Sequence, residues 1–240
     1  VIVLISKPPA PSVRDEIVNL LHNLSKPVVA VFIGERPEHH EQNVYLAHTL
    51  EEAARIAVDL ANGQEVKVNY TEALDNHVEA VLPENATVKG LYSGGTLGSE
   101  AAMLISEALG LGEIIHEKGY VLNAHGYQVI DYGDDMYTQG RPHPMIDPAT
   151  RIEAIKKAGA DPNTGVILLD VVLGYGSHAD MAGALAPTIK EVLAKANSEN
   201  RQLHVVATVT GTRQDPQNYD ATIATLKEAG ALIENSNAKA

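Results

Sequence analysis

The sequence predicts an α/β protein built on parallel sheets with helices on both faces, and three observations carry that prediction. Continuous apolar runs such as "KPVVAVFIG" (26–34), "GVILLDVVLG" (165–174) and "LHVVATVTG" (203–211) read as strands buried on both sides. Between them lie stretches with helical spacing, so β and α alternate along the chain. The third is composition: 45% hydrophobic residues with one Phe and no Trp leave Val, Ile, Leu and Ala to build the core. That recipe suits β-branched strands packed under Ala-rich helices.

The elements follow in order. Val1–Ile5 is a buried strand stopped by "SKPPAP", and its abrupt start at Val1 reads as a piece of a longer chain opening in mid-domain. Ser12–Leu24 has Val13, Ile17, Leu20, Leu21 and Leu24 on one helical stripe. The strand 26–34 leads into a loop, 35–48, that carries His39, His40 and His48, with 38–41 a solvated turn. Thr49 to Glu52 is a capping box opening a helix to about Asn62. Residues 63–86 have no clear period and read as a linker. The pattern restarts with a strand at 87–93, a "GGT" turn and a helix from Leu97 to Leu109. A strand or hairpin covers about 120–131. A helix over 148–158 follows, capped by Asp147 with Pro148 in its first turn. Strand 165–174, helix 180–196, strand 203–211 and a helix over about 217–229 complete the series.

Two stretches of this series resemble each other. "VIVLI…KPVVAVFIG…TLEEAARIAV" repeats in character as "VILLD…LHVVATVTG…YDATIATLKEAG", which points to duplicated domains. The expected division is 1–62 as a partial first domain, 63–86 as linker and 87–236 as a complete second domain.

Charge and cysteine content narrow the function. A net charge of −13 repels nucleic acid and anionic lipid, so neither is an expected partner. With no cysteine, disulfides, thiolate metal sites and a cysteine nucleophile are excluded. No signal peptide or long apolar run is visible, so a cytoplasmic protein without a membrane segment is the expectation.

Three segments could carry chemistry. In "YSGGTLGSEA" (92–101) small residues join a strand to a helix, where unpaired amides and the helix dipole favour an anion. Ser93, Gly94, Gly95, Thr96 and Leu97 are the candidate anion binders, against the alternative of a turn with no ligand. In "VVLGYGSHADMAG" (171–183), Gly174, Gly176 and Ser177 form a second strand-to-helix corner, with His178 beside it as an acid, base or nucleophile or as a solvated loop residue. This segment matches G-x-G-x-x-A, but no acidic residue ends the next strand, which argues against a dinucleotide site. The third, "DYGDDMYTQGRPHPMIDP" (131–148), holds too many Gly and Pro residues for a helix or long strand. Its Arg141 could clamp a carboxylate or phosphate, His143 is restrained between two prolines, and Asp134 with Asp135 could hold Mg²⁺. The histidines at 39, 40 and 48 lack the spacing of a metal site.

These segments, together with "TVTGTRQDPQ" (208–217), resemble the FdrA family of acyl-CoA synthetase-like proteins. More distantly they are similar to the succinyl-CoA synthetase α subunit. The resemblance implies flavodoxin-like doubly wound domains of the CoA-ligase type, one partial and one complete, with an N-terminal CoA-binding region missing. It implies ligase chemistry on a small carboxylate, with CoA and ATP/Mg, through an acyl phosphate. It also implies homo-oligomers or partner subunits. FdrA-type proteins accompany allantoin breakdown, so a carbamoyltransferase complex handling oxamate and carbamoyl phosphate, or a non-catalytic structural or regulatory subunit, are the alternatives. By the same resemblance, residues 93–97 stand where the synthetase has its Ser-Gly-Thr-Leu loop, and 174–177 near its Gly-rich turn. The synthetase's phosphohistidine lies in a Gly-His-Ala-Gly segment. Here that region reads "NVYLAHTLEE" (43–52), and the role is carried onto no residue.

Overall fold

A computed structural model describes residues 1–7, 9–37, 40–66, 82–83, 85–112 and 117–240. The chain divides into two compact units, Val1–Asp75 and Asn76–Ala240. Most of the expected linker, including 67–81, lies outside the described residues, as does His39. Among the described residues no helix is long and apolar enough to cross a membrane.

The first unit is a three-stranded parallel sheet in the order β1 (Ile2–Ser6), β2 (Val28–Phe32), β3 (Val44–Ala47). All five residues of β2 are buried, as a central strand covered on both faces requires. Helix α1 (Pro11–His22) buries Val18 and Leu21 against Val28, Ala30 and Phe32. The expected stripe is rotated: Val13, Leu20 and Leu24 are exposed, because the sheet meets the helix on the side of Ile17, Val18 and Leu21. β3 falls inside the expected loop 35–48, its four residues flanked by polar ones. Nor is Glu41 a solvated turn residue; it accepts a hydrogen bond from Arg14 Nη2 at 3.2 Å and is half-buried. Helix α2 (Leu50–Ala61) starts as expected, with Thr49 Oγ1 accepting from the Glu52 amide at 3.1 Å. Glu52 returns a bond one residue earlier than a capping box does, accepting from the His48 amide at 2.8 Å.

The second unit holds a six-stranded sheet. Its members are β4 (Thr87–Tyr92), β5 (Tyr120–Ala124), β6 (Tyr127–Asp131), β7 (Thr164–Val172), β8 (His204–Thr210) and β9 (Leu232–Glu234). Their order is β5-β6-β4-β7-β8-β9, parallel except for the edge strand β5, which forms a hairpin with β6. Alternate residues of β7 and β8 face opposite cores. Ile167, Leu169, Val205 and Ala207 pack with α5 (Ala149–Ala160), α6 (Met181–Ser198) and α7 (Tyr219–Glu228). Leu168 and Val206 pack instead with α3 (Gly95–Leu109). The sheet is therefore doubly wound.

The two units also share an order of elements that differs from the repeat expected. β1, α1, β2 and β3 parallel β7, α6, β8 and β9, with all the strand pairs parallel. Among the described residues helix α7 has no counterpart between β2 and β3, and α2 follows β3 whereas a 3₁₀ turn at 237–239 follows β9. The match between "TLEEAARIAV" and "YDATIATLKEAG" was one of helical character, and topology does not align them.

Candidate functional site

In sheets of this kind, ligands collect at the carboxyl ends of the strands where the strand order reverses. Here that place is the end of β4, with β6 on one side and β7 on the other. Each of the three candidate segments leaves the sheet at this edge. The turn 93–94 follows β4, the loop 132–148 follows β6, and the corner 173–180 follows β7.

The turn after β4 is organised by a residue absent from the sequence expectations. Asp170, in β7, accepts from the Ser93 amide at 2.8 Å, the Ser93 hydroxyl at 3.0 Å and the Gly94 amide at 2.7 Å. Arg151 Nη2, from α5, lies 3.2 Å from Asp170 Oδ1 and also 3.2 Å from the Leu91 carbonyl. Both side chains are wholly buried. Burial pushes the Arg151 guanidinium down and the charge of Asp170 opposes it. Ser93 and Gly94 are thus corrected as anion binders: a carboxylate of the chain itself already takes their donors. The amides of Gly95, Thr96 and Leu97 in the first turn of α3 have no hydrogen-bond partner among the described residues, and Gly94 supplies no side-chain cap. Those three carry what anion-binding capacity the corner has. Gly98 lets α3 approach closely, since a Cβ there would stand 3.3 Å from Tyr92 Cβ.

The loop after β6 departs from expectation by containing a short helix, α4 (Asp135–Thr138). Asp134 caps it, accepting from the Met136 amide at 2.8 Å, and Asp135 is exposed. Among the described residues no group of three or more His, Asp or Glu could hold a metal ion. Asp134 spends one oxygen on that cap, so the pair offers at most the one or two carboxylates through which Mg²⁺ is held together with waters and phosphates. Asp147 caps α5 by accepting from the Ala149 amide at 2.9 Å, with Pro148 in the cap position itself. Arg141 is exposed, with no side-chain partner among the described residues.

His143 turns inward. A Cβ on Gly133 would stand 2.7 Å from His143 Nε2 and 3.0 Å from both Asp131 Oδ1 and the Ser93 carbonyl. The imidazole thus lies beside the end of β4, and only a glycine leaves room for it. The same loop holds the corner after β7: the Met145 carbonyl accepts from the His178 amide at 2.7 Å. Gln217 fastens that corner from the far side, accepting from the Gly174 amide at 3.0 Å and donating to the Gly174 carbonyl at 2.6 Å. Gly176 lies on the exposed tip with Tyr175, while Ser177 and His178 are half-buried. The structure therefore brings His143, His178 and the α3 corner onto one edge, and leaves Arg141 and Gly176 at the rim.

His48 lies in the first unit, in the segment that follows β3. It is buried, with Nδ1 2.7 Å from the Glu35 carbonyl. Two hollows of the second unit lie away from the carboxyl edge. One of about 550 Å³ is bordered by Asn163, Thr164, Asn200 and Arg201, at the opposite ends of the strands. Another of about 110 Å³ lies under α5, between Lys89, Tyr132 and Asp161.

A family model for CoA-ligase matches residues 91–240, which contain the whole of this edge. The chain belongs to the CoA-ligase family. It is 36% identical over 249 residues to the uncharacterized protein YahF of Escherichia coli (strain K12). That match covers 99% of this chain and 48% of YahF, so the chain spans about half the length of the curated relative. Among solved structures it is similar to a dinucleotide forming acetyl-coenzyme A synthetase 1 of Ca. Korarchaeum cryptofilum in its apo form. The TM-score is 0.42 at 11% identity, covering 99% of this chain and 50% of that one. The same synthetase in complex with phosphate and ADP gives a TM-score of 0.41 at 12% identity, with the same coverage. The CoA-ligase match accounts for the doubly wound sheet and spans every candidate residue from Ser93 to His178.

Proposed function

We propose that the second unit binds the phosphoryl group of a small acyl or carbamoyl phosphate at the carboxyl edge of its sheet. In this reading the chain is an acyl-CoA synthetase-like protein of the FdrA type, acting in the cytoplasm on a small carboxylate. CoA and ATP are its co-substrates, and it works as a homo-oligomer or with partner subunits. The first unit is then the remaining part of one CoA-ligase domain and the second unit a complete one. The observation that carries the proposal is the trio of unpartnered amides at Gly95, Thr96 and Leu97, on the edge where His143 of the neighbouring loop lies beside the end of β4. Three N–H donors at a helix start favour an anion, and a site of low dielectric strengthens each bond. Asp170 with Arg151 keeps the turn rigid while adding no net charge to repel the ligand. Arg141, at the rim, supplies a mobile cation for a carboxylate.

One observation favours the second reading, transfer of a carbamoyl group between carbamoyl phosphate and oxamate. His48 stands in the segment where the synthetase family has its phosphohistidine, and it is buried and lacks the flanking glycines of that segment. A carbamoyltransferase needs the same anion donors and no phosphohistidine. A purely structural subunit is the third reading.

Calorimetry on the full chain with carbamoyl phosphate, ATP, CoA and oxamate separates these. Binding of ATP and CoA supports the ligase, and binding of carbamoyl phosphate and oxamate alone supports the transferase. Heat from none of the four contradicts both, and leaves the structural subunit.

A further inference from the structure

His143 and His178 are built alike. In each, ring Nδ1 accepts a hydrogen bond from the backbone amide two residues on: Met145 N at 3.2 Å for His143, Asp180 N at 3.0 Å for His178. A nitrogen that accepts from an N–H cannot itself carry a proton, so in the neutral ring the proton sits on Nε2. The two are also joined through the backbone. Met145, whose amide holds the first ring, accepts from the amide of His178 at 2.7 Å, and Asp180, which holds the second, caps α6 through Gly183 at 2.8 Å. Neither Nε2 has a hydrogen-bond partner among the described residues, and both rings are half-buried. For His143 the free nitrogen stands beside Gly133, next to the end of β4.

We infer that His143 and His178 are fixed as Nε2–H donors to the oxygens of a bound phosphoryl group, and are not phosphoryl acceptors. The inference rests on the anion site proposed above and assigns the role of two of its residues. A nucleophilic imidazole must offer a lone pair. Here the lone pair is on Nδ1, turned into the backbone, while Nε2 offers a proton. Phosphoryl transfer to Nε2 would require the proton to move to Nδ1, where it would meet the Met145 or Asp180 N–H head on. The pair therefore supplies donors that match the charge of a phosphate dianion, and no covalent intermediate forms on either ring.

The test is ¹⁵N NMR of the imidazoles in the full, uniformly labelled chain at pH 8, with and without inorganic phosphate. The expected result is the Nε2–H tautomer at both rings, with the His143 resonances moving as phosphate is added. An Nδ1–H tautomer at either ring overturns the inference, whatever phosphate does. Nε2–H rings that ignore phosphate, together with unmoved amides at Gly95–Leu97, overturn the anion site instead. Two variants give a second readout. His143→Gln, which can place an amide N–H where Nε2–H stood, retains phosphate affinity, whereas His143→Ala weakens it at least about tenfold. Equal loss in both variants contradicts a donor role, and so does ³¹P detection of a phosphohistidine at position 143 or 178 after incubation with carbamoyl phosphate.

Discussion

Arg151 meets Asp170 at 3.2 Å with both side chains entirely shut off from water, and the pair sits directly beneath the turn that opens α3. Each Asp170 oxygen has two donors: Ser93 N and Arg151 for Oδ1, Ser93 Oγ and Gly94 N for Oδ2. The guanidinium is less well served, since its Nε and Nη1 have no partner among the described residues. Breaking such a pair from one side leaves a buried charge without compensation. Asp170→Asn is expected to lower stability by about 3–5 kcal/mol, and Arg151→Met by a similar amount. The double variant Arg151→Met/Asp170→Asn recovers a large part of that loss. Urea melts of the four proteins form the cycle, and additive single-variant losses would show that the two side chains do not act as a pair.

Gly133 makes the room that His143 occupies. A Cβ there collides with His143 Nε2 at 2.7 Å and with Asp131 and Ser93 at 3.0 Å. Gly133→Ala is expected to displace the imidazole, weaken phosphate binding and cost about 1–3 kcal/mol of stability through overpacking. A chemical-shift map confined to 131–147 and 93–97 checks it.

The end of the chain fastens the start of α3. Asn237 Nδ2 donates to the Leu97 carbonyl at 2.9 Å and to Glu100 Oε2 at 2.7 Å, and Glu100 is fully buried. Asn237→Ala removes a charge-assisted bond to a buried carboxylate and is expected to cost about 1.5–3 kcal/mol. Amide exchange should quicken in the first turns of α3 before it does in α6. Uniform quickening across the unit would mean that the contact is not local.

Alkaline pH should destabilise the second unit through its buried tyrosines. Burial raises Tyr132, with Tyr137 adding to it, and burial raises Tyr92, with Asp170 next. A raised folded pKa means that the unfolded chain loses these protons first. Stability is therefore fully present below the ordinary tyrosine value of about 10 and falls as pH climbs from there toward the folded values. Urea melts from pH 8 to 11 should show the decline begin near 10, and Tyr132→Phe should lessen its slope.

The strands and most helices were legible because parallel strands buried on both faces leave long apolar runs, and those runs anchor everything between them. β3 and β9 escaped because four and three residues are too few to show a period, and β3 is flanked by Asn43 and His48. Asp170 and Arg151 are hard to read from the sequence for a different reason. Each lies in an element that reads as purely structural, yet a lone carboxylate in the nine-residue strand "TGVILLDVV" was itself a signal, since buried charges are paired. His143 was legible as restrained by its prolines. Its direction was not, because that depends on Gly133 and Met145, which meet it only in the folded chain.

The central claim is that the first turn of α3 receives a phosphoryl anion at the carboxyl edge of the sheet. Titration of the ¹⁵N-labelled full chain with inorganic phosphate, against chloride at equal ionic strength, tests it most directly. Saturable shifts at the amides of Gly95, Thr96 and Leu97, together with the His143 ring and with smaller changes at Ser93 and Gly94, are predicted. Amides at 95–97 that respond alike to chloride and phosphate, or not at all, would contradict it.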